Sequence, residues 1–272
     1  MANAEMSCAD HEFLFKHIAR SKPQKVLEIG IAAGGTTKKL LEYLSVGTTM
    51  YSVDLNKYYY KDKNFASGFM ADEVYNSEIH PTWVKLLGKD VSFVIDDIGA
   101  EIDFVILDTV HSLPGEVLNF LAILPYLKDN SVVFLHDINL HALNKLNRPN
   151  IHSAGYRAHA CAVLFSAIFS KNKYLSKDSL PNSGVLEVDK EYIISNLYPV
   201  MTTLLMDWHY MPNLSLLTQT GKIIKNNYPE HYVKLYEQIV EYNIQEFNAR
   251  KLQSKKKESF LSKFLGNTNN AQ

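Results

Sequence analysis

Acidic and imidazole side chains follow two apolar stretches in the middle of the sequence. The run Ile102–Leu107 leads into Asp108-Thr-Val-His111, and the run Val132–Leu135 leads into His136-Asp137. Continuous apolar runs of this length are typical of parallel strands that are covered on both faces. Parallel strands joined by one crossover usually lie side by side, about 4.8 Å apart, and end at the same edge of the sheet. The sequence therefore predicts that these four polar side chains converge at that edge.

This set of residues could support more than one kind of chemistry. Two carboxylates at one edge repel each other unless a cation or a proton lies between them, so Asp108 and Asp137 indicate a divalent ion. Two histidines beside two carboxylates also fit the two-histidine, one-carboxylate iron site of an oxygenase. The remaining alternative is structural, with the aspartates capping the turns and the histidines satisfied by hydrogen bonds.

A second group of small and acidic residues lies near the N-terminus. The apolar run Val26–Ile29 breaks at Gly30 and gives way to a helical pattern of leucines, which predicts a strand, a tight turn and a helix. Gly30 and Gly34 allow a sharp backbone turn and the close approach of a ligand. The start of the helix after Gly35 offers unpaired N–H groups to an anion.

The turn alone leaves the ligand open, because Gly30-Ile-Ala-Ala-Gly-Gly35 also fits a relaxed dinucleotide fingerprint with Ala32 at its middle position. Glu28 would gain nothing beside a pyrophosphate, whereas it suits the ammonium group of an amino acid. Asp54 lies 24 residues after Gly30, at the end of the next predicted strand. A carboxylate there can accept from both ribose hydroxyls, which S-adenosylmethionine (SAM) and NAD share.

The stretch resembles motif I of the class I SAM-dependent methyltransferases, E/D-x-G-x-x-x-G, with Glu28, Gly30 and Gly34 at the matching positions. The resemblance implies that the turn and Asp54 bind SAM, and that Asp90 reaches the adenine amino group. Asp90 follows Gly88 with one lysine between them, which departs from the family's G-D pair. The predicted cofactor-binding residues are Glu28, Gly30, Ala32, Gly34, Asp54, Asp90 and Asp108.

The D-x-x-H and H-D pairs resemble the metal-dependent sugar O-methyltransferases of the macrocin and mycinose types, and the related cephalosporin hydroxylase family, over Val26 to about Asn139. This resemblance implies that Asp108 and Asp137 hold magnesium and that His111 takes the proton from a sugar hydroxyl. His136 stands where several members carry glutamate. Because magnesium prefers oxygen ligands, a site formed by Asp108, His136 and Asp137 would offer it fewer suitable ligands. Such a site would otherwise bind manganese or another divalent ion.

The order of the predicted elements, together with the resemblance, predicts an α/β fold with a doubly wound, mainly parallel seven-stranded sheet whose last hairpin strand is antiparallel. We expect an N-terminal helix (1–20), a methyltransferase domain (21–212) and C-terminal helices packed on it (213–250). The basic segment 251–272 is expected to be a disordered tail, although its amphipathic pattern could touch an anionic membrane.

The composition limits the class of protein. A chain of 272 residues with 46% hydrophobic and 21% charged residues is long enough for one large α/β domain. A net charge of −1 provides no electrostatic case for binding nucleic acid. Two cysteines form no disulfide or zinc pattern, and Met1–Arg20 lacks the form of a signal peptide, so a cytoplasmic location is expected. The longest apolar run falls short of the roughly 20 residues that span a bilayer.

These resemblances therefore imply a SAM-dependent, metal-assisted O-methyltransferase that acts on a hydroxyl of a glycan or glycosylated metabolite. Three alternatives stay open: an iron oxygenase of the cephalosporin hydroxylase type, a non-catalytic SAM- or nucleotide-binding protein, and an NAD-dependent dehydrogenase. Tyr156, Arg157 and His159 could face the acceptor. The apolar stripe of the last long helix could pack within the chain or against a second copy, so the oligomeric state stays open.

Overall fold

The computed structural model describes residues 6–147, 159–177 and 180–266, with the backbone alone for 144–147 and 252–266. Its centre is a seven-stranded sheet. The strands are β1 (Lys25–Ile29), β2 (Thr49–Asp54), β3 (Thr82–Leu87), β4 (Ile102–Leu107), β5 (Leu127–Leu135), β6 (Lys173–Leu175) and β7 (Gly184–Glu187). Their order across the sheet is β3-β2-β1-β4-β5-β7-β6.

The direction of the strands confirms the predicted fold class. The pairs β3–β2, β2–β1, β1–β4 and β4–β5 are parallel, and β7 runs antiparallel to both β5 and β6. The strand order reverses between β1 and β4, so the loops that follow these two strands leave a crevice at their carboxyl ends. Parallel strands need long crossovers, and helices fill them on both faces.

The helices are α1 (Cys8–Ser21), α2 (Gly35–Tyr43), α3 (Phe69–Asp72), α4 (Ile95–Ile98), α5 (Gly115–Ile123), α6 (Leu140–Asn147), α7 (Ala160–Ala167), α8 (Lys190–Ser195), α9 (Tyr198–Thr203), α10 (Leu214–Asn227) and α11 (Glu230–Gly266). In the part of the chain that the structure describes, each helix is too short or too polar to cross a membrane.

The core has two layers because successive side chains of a strand point to opposite faces of the sheet. In β4, Phe104 and Ile106 pack in the layer that holds α1 and α2, whereas Val105 and Leu107 pack in the layer that holds α5, α7 and α10. All four side chains are buried. The central strands are therefore covered on both faces, and only their ends are left for chemistry.

The C-terminal segment differs from its expected form. Helix α11 continues without a break to Gly266, through most of the segment for which the sequence indicated disorder. Lysine, glutamate, glutamine and alanine are strong helix formers, and residues 245–258 are rich in them. The remaining residues, 267–272, lie outside the described part of the chain.

Candidate functional site

Two glycines shape the turn between β1 and α2. Gly30 has a φ of +94° and donates its N–H to the carbonyl of Val53 at 2.8 Å. A Cβ atom at this position would lie 1.7 Å from the carbonyl oxygen of Asp108. Gly34 has a φ of +89°, and a Cβ there would lie 2.8 Å from the Cα of Gly68. The turn therefore lies directly against its neighbours only because both residues lack a side chain.

A cavity of about 760 Å³ opens above the carboxyl ends of β1, β2 and β4. Its volume lies within the range of about 300–1,000 Å³ that is usual for small-molecule sites. The predicted cofactor residues in its wall are Glu28, Gly30, Ala32, Asp54, Asp90 and Asp108. Gly34 does not line the cavity, and its role is to allow the backbone conformation of the turn. His111 lines the cavity, whereas His136 and Asp137 do not.

Glu28 is a buried carboxyl group in the wall of this cavity. The hydroxyl of Thr37 donates to it and lies 3.0 Å from each of its oxygens. Burial raises the pKa of Glu28 to about 8, although hydrogen bonds from Ser52 and Thr37 act to lower it. Without a cation beside it, the carboxyl group is therefore mostly protonated at neutral pH.

Asp54 is engaged with the backbone of the turn. Its Oδ2 accepts the N–H groups of Ile31 and Ala32, each at 3.0 Å, and its Oδ1 accepts the N–H of Asn56 at 2.7 Å. An ionised carboxylate offers about four lone-pair sites. One site, on Oδ1, therefore remains for a ligand. Asp54 therefore holds the turn, and the contact with the ribose hydroxyls stays a prediction.

Asp90 lies at the start of a short 3-10 turn after β3. Its Oδ1 accepts the N–H of Ser92 at 2.9 Å, so the side chain caps this turn. Burial raises the pKa of Asp90. The residue thus has a structural role as well as a place in the wall of the cavity.

The four residues that follow β4 and β5 meet at one point, and we call Asp108, His111, His136 and Asp137 the acid–histidine centre. The Nε2 atom of His111 lies 3.1 Å from Oδ2 of Asp137 and 3.7 Å from Oδ1 of Asp108. The Nδ1 atom of His136 lies 3.3 Å from Oδ2 of Asp108 and 3.5 Å from Oδ2 of Asp137. Neighbouring parallel strands bring these side chains together, although His136 lies 25 positions after His111 in the sequence.

The backbone at the centre is strained. His111 has a φ of +53° and Asp137 a φ of +57°, values that residues other than glycine seldom adopt. Such conformations cost about 1–3 kcal/mol each and persist where the surrounding structure enforces them. Here each turn directs its side chain toward the other.

The protonation of the centre depends on the balance between burial and charge. Burial raises the pKa of Asp108, but His136 and His111 outweigh it and lower that pKa. At Asp137, burial and the charge of Asp108 prevail over the histidines and raise the pKa. Burial lowers the pKa of His136, and the carboxylates of Asp108, Asp10 and Asp137 raise it well above its usual value. Positive charge on His136 therefore offsets the repulsion between the two carboxylates.

The donor atoms of Asp108, His111 and Asp137 lie within 4.8 Å of one another, which is close enough to share a metal ion. The sequence indicated His136 in place of His111. His136 remains a candidate donor, because its Nδ1 is buried and has no hydrogen-bond partner among the described residues. Both histidines therefore compete for the role of third ligand.

Glu116 of α5 lies behind His111, and the sequence did not indicate it. It is fully buried, and its Oε1 lies 3.8 Å from Nδ1 of His111. Its Oε2 accepts the N–H of Ser112 at 3.0 Å. His111, Glu116 and Cys161 form a second group whose donor atoms lie within 4.8 Å of one another. Burial raises the pKa of both Glu116 and Cys161. An acidic residue in the first turn of a helix usually stays exposed, so no sequence signal pointed to this burial.

The other side of the cavity comes from the C-terminal half of the chain. Tyr210, Met211 and Pro212 line it, together with Leu216 of α10. The sequence indicated an aromatic loop here, without a binding role. Of the residues suggested to face the acceptor, Tyr156 and Arg157 lie outside the described residues. His159 contacts the ring of His209, with 5.4 Å between the ring centroids.

Comparison with known structures agrees with this architecture. A Staphylococcus aureus protein provisionally assigned as a caffeoyl-CoA O-methyltransferase superposes with a TM-score of 0.50 at 9% identity, over 68% of this chain and 86% of that one. The O-methyltransferase TomG of Streptomyces achromogenes, involved in tomaymycin synthesis and solved with SAM, superposes with a TM-score of 0.47 at 16% identity, over 67% and 80% of the two chains. A Bacillus cereus O-methyltransferase solved with S-adenosylhomocysteine (SAH) also has a TM-score of 0.47 at 16% identity, over 69% and 83%.

At the level of sequence, no curated protein matches the chain. Residues 27–138 match the profile of a family described as a methyltransferase domain. That range includes the turn after β1, the end of β2 and the whole acid–histidine centre. The order of the strands is that of a class I methyltransferase fold, and residues 27–138 are similar to a methyltransferase domain.

Proposed function

We propose that the protein transfers the methyl group of SAM to a hydroxyl oxygen of a glycan or glycosylated metabolite, with the assistance of a divalent metal. The observation that supports this most directly is the position of His111. It lies in the wall of the cavity that Glu28 and Asp54 also line, and its Nε2 is 3.1 Å from Asp137. A methyl donor in the cavity and a hydroxyl at the acid–histidine centre would therefore meet at this residue.

The cavity wall suits the chemical groups of SAM. Glu28 is a buried carboxyl group that gains its charge beside an ammonium group, and Asp54 retains one acceptor site for a ribose hydroxyl. The N-terminus of α2, at Gly35, also lines the cavity and would receive the methionine carboxylate. A dinucleotide would place a pyrophosphate, and not an ammonium group, beside Glu28. The wall therefore favours SAM over NAD.

The acid–histidine centre fits a divalent ion in its donor chemistry. Asp108 and Asp137 supply carboxylate oxygens, and the unpartnered Nδ1 of His136 lies 3.3 Å and 3.5 Å from one oxygen of each. These three side chains would hold the ion. When bound, the ion would supply a Lewis acid that lowers the pKa of a hydroxyl group. The mixture of oxygen and nitrogen donors fits manganese at least as well as magnesium.

His111 would act as the general base. Its Nε2 takes the hydroxyl proton, the oxygen attacks the methyl carbon, and the carbon–sulfur bond breaks to leave SAH. Glu116 lies on the opposite side of the ring, 3.8 Å from Nδ1, where a carboxyl group can hold the orientation of the imidazole. The mixture of aromatic and polar groups at the mouth, including Tyr60 and Tyr210, suits a sugar ring with an attached apolar group.

The proposed activity can be tested with the purified protein and isotope-labelled SAM. Calorimetry should show SAM and SAH binding, with no heat from NAD. A panel of glycosides and glycans, offered with SAM and either Mg²⁺ or Mn²⁺, should reveal methyl transfer by mass spectrometry, and EDTA should abolish it. Binding of NAD in preference to SAM would contradict the proposal.

A non-haem iron oxygenase is the second candidate. Its support is the convergence of His111 and His136 on the same oxygen of Asp137, at 3.1 Å and 3.5 Å. Two histidines and one carboxylate are the ligands of such sites. The two activities differ in their requirements, because the oxygenase needs ferrous iron and molecular oxygen. Substrate turnover that depends on both, and not on SAM, would favour the oxygenase.

A further inference from the structure

A buried carboxylate from outside the methyltransferase domain lies behind the acid–histidine centre. Asp10 belongs to the first turn of α1, well before residue 27 where the family match begins. Its side chain is only 2% exposed, and its Oδ2 lies 3.6 Å from Nε2 of His136. An acidic residue in a first helical turn normally interacts with the helix dipole from the surface. The burial of Asp10 therefore calls for another reason.

The orientation of Asp10 is held from two sides. The hydroxyl of Ser7, which caps α1, donates to Oδ2 at 2.5 Å, and the hydroxyl of Ser183 donates to Oδ1 at 2.5 Å. Both carboxylate oxygens of Asp10 therefore act as hydrogen-bond acceptors in this arrangement. The group is thus an oriented anion, and anions accept hydrogen bonds and do not donate them.

A hydrogen-bond acceptor next to Nε2 of His136 favours a hydrogen on Nε2, and this leaves Nδ1 with a free lone pair. When Nε2 keeps its hydrogen for Asp10, Nδ1 is the atom that can present a lone pair to a metal ion bound by Asp108 and Asp137. Nδ1 is buried and has no hydrogen-bond partner among the described residues. The amide nitrogen of Asn182 lies 3.5 Å from Nε2, at the limit of a hydrogen bond, and its short hydrogen bond goes to Asp137 at 2.7 Å. Asp10 is the carboxylate nearest to Nε2, at 3.6 Å, and its negative charge favours a hydrogen on that atom.

We propose that Asp10 is a positioning residue, which holds the Nε2–H of His136 so that Nδ1 is directed at Asp108 and Asp137 as a metal ligand. This inference rests on the metal site of the proposed function. Histidines that bind metals commonly donate their second N–H to a carboxylate, and loss of that partner lowers metal affinity about 10–100-fold. Through Asp10, the N-terminal helix α1 contributes to a centre that is otherwise built on β4 and β5.

The test compares Asp10→Ala and the isosteric Asp10→Asn with Glu12→Gln, which removes a carboxylate from an exposed position of the same helix. Two properties are measured. The first is the hydrogen on Nε2 of His136, observed by ¹⁵N NMR in the metal-free and the Mg²⁺-loaded protein. The second is the affinity for Mn²⁺, measured by calorimetry. Circular dichroism confirms that each variant is folded, and SAM affinity serves as the internal control.

We expect the wild type and Glu12→Gln to show the Nε2 hydrogen in both states and to bind Mn²⁺ equally. Asp10→Ala should weaken Mn²⁺ about 10–100-fold, and Asp10→Asn should do so by less, with SAM affinity unchanged in both. In a His136→Ala background, Asp10→Ala should cause no further loss. The inference would be overturned if Asp10→Ala lowered the Mn²⁺ affinity equally in the His136→Ala background. It would also be overturned if His136 of the Mg²⁺-loaded protein carried its hydrogen on Nδ1 and not on Nε2.

The same measurements separate this inference from the function on which it rests. A wild type that binds no Mn²⁺ would remove the metal site and, with it, the role of Asp10 as a positioning residue. A wild type that binds Mn²⁺, together with an Asp10→Ala variant that binds it equally well, would leave the metal site intact and reject Asp10 alone.

Discussion

Gly30 and Asp108 are in direct backbone contact, because the Cβ position of residue 30 lies 1.7 Å from the carbonyl oxygen of Asp108. The turn that shapes the cofactor cavity and the first residue of the acid–histidine centre are thus one rigid unit. This contact would hold a ligand in the cavity and the proposed metal at the sheet edge in a constant relation. It also provides the most direct test of the packing.

Gly30→Ala should destabilise the protein severely. The left-handed backbone alone costs an alanine about 1–3 kcal/mol, and the clash with Asp108 adds to it, so we expect the free energy of unfolding to fall by about 3 kcal/mol or more. Gly47→Ala is the matched control, because no atom lies within 4 Å of its added Cβ. Urea denaturation followed by tryptophan fluorescence measures both. Similar stabilities of the two variants would show that the turn is packed differently.

SAM binding should release a proton from Glu28. Burial raises the pKa of this carboxyl to about 8 in the ligand-free protein, and an adjacent ammonium group favours the ionised form. The affinity should therefore rise with pH below about 8 and level off above it. Calorimetry in two buffers of different ionisation enthalpy measures the proton directly. Glu28→Gln should lose the proton release and about 1.5–3 kcal/mol of binding free energy; a wild type that binds SAM without releasing a proton would exclude this role.

His111→Ala should separate catalysis from binding. We expect kcat to fall by about 10²–10⁴-fold, the usual contribution of a positioned base, with the affinities for SAM and Mn²⁺ nearly unchanged. His231→Ala, at an exposed position of α11, is the control for the loss of an imidazole. A large loss of Mn²⁺ affinity in His111→Ala would instead make His111 the third metal ligand, and activity near that of the wild type would show that no base is needed.

Asp137→Asn should remove the metal without harming the fold. Asparagine tolerates a left-handed backbone better than most residues, which suits the φ of +57° at this position. Mn²⁺ at a hundredfold excess over its Kd should stabilise the wild type by about 2.7 kcal/mol and the variant hardly at all. Without metal, the variant should be at least as stable as the wild type, because its amide does not repel Asp108. Thermal melts with and without Mn²⁺ test this, and Asp97→Asn, at an exposed carboxylate, is the control.

Much of the architecture could be predicted from the sequence because it depends on local patterns. Continuous apolar runs such as Ile102–Leu107 indicate strands buried on both faces, and glycines at 30 and 34 indicate a turn that other residues cannot form. The order of strands and helices then leaves few topologies for the chain. For the same reason, Asp108 and Asp137 could be placed at one edge of the sheet before their distances were known.

The tertiary structure alone decided which side chains support the site and which atoms face one another. Asp10 meets Ser183 across 173 residues, and Glu116 reaches His111 from inside a helix. Nothing in the neighbouring sequence marks either carboxyl group as buried. Which nitrogen of His136 faces Asp108 depends on side-chain rotation and on a carboxylate from α1. Local sequence determines backbone conformation, whereas these contacts arise only when distant elements pack together.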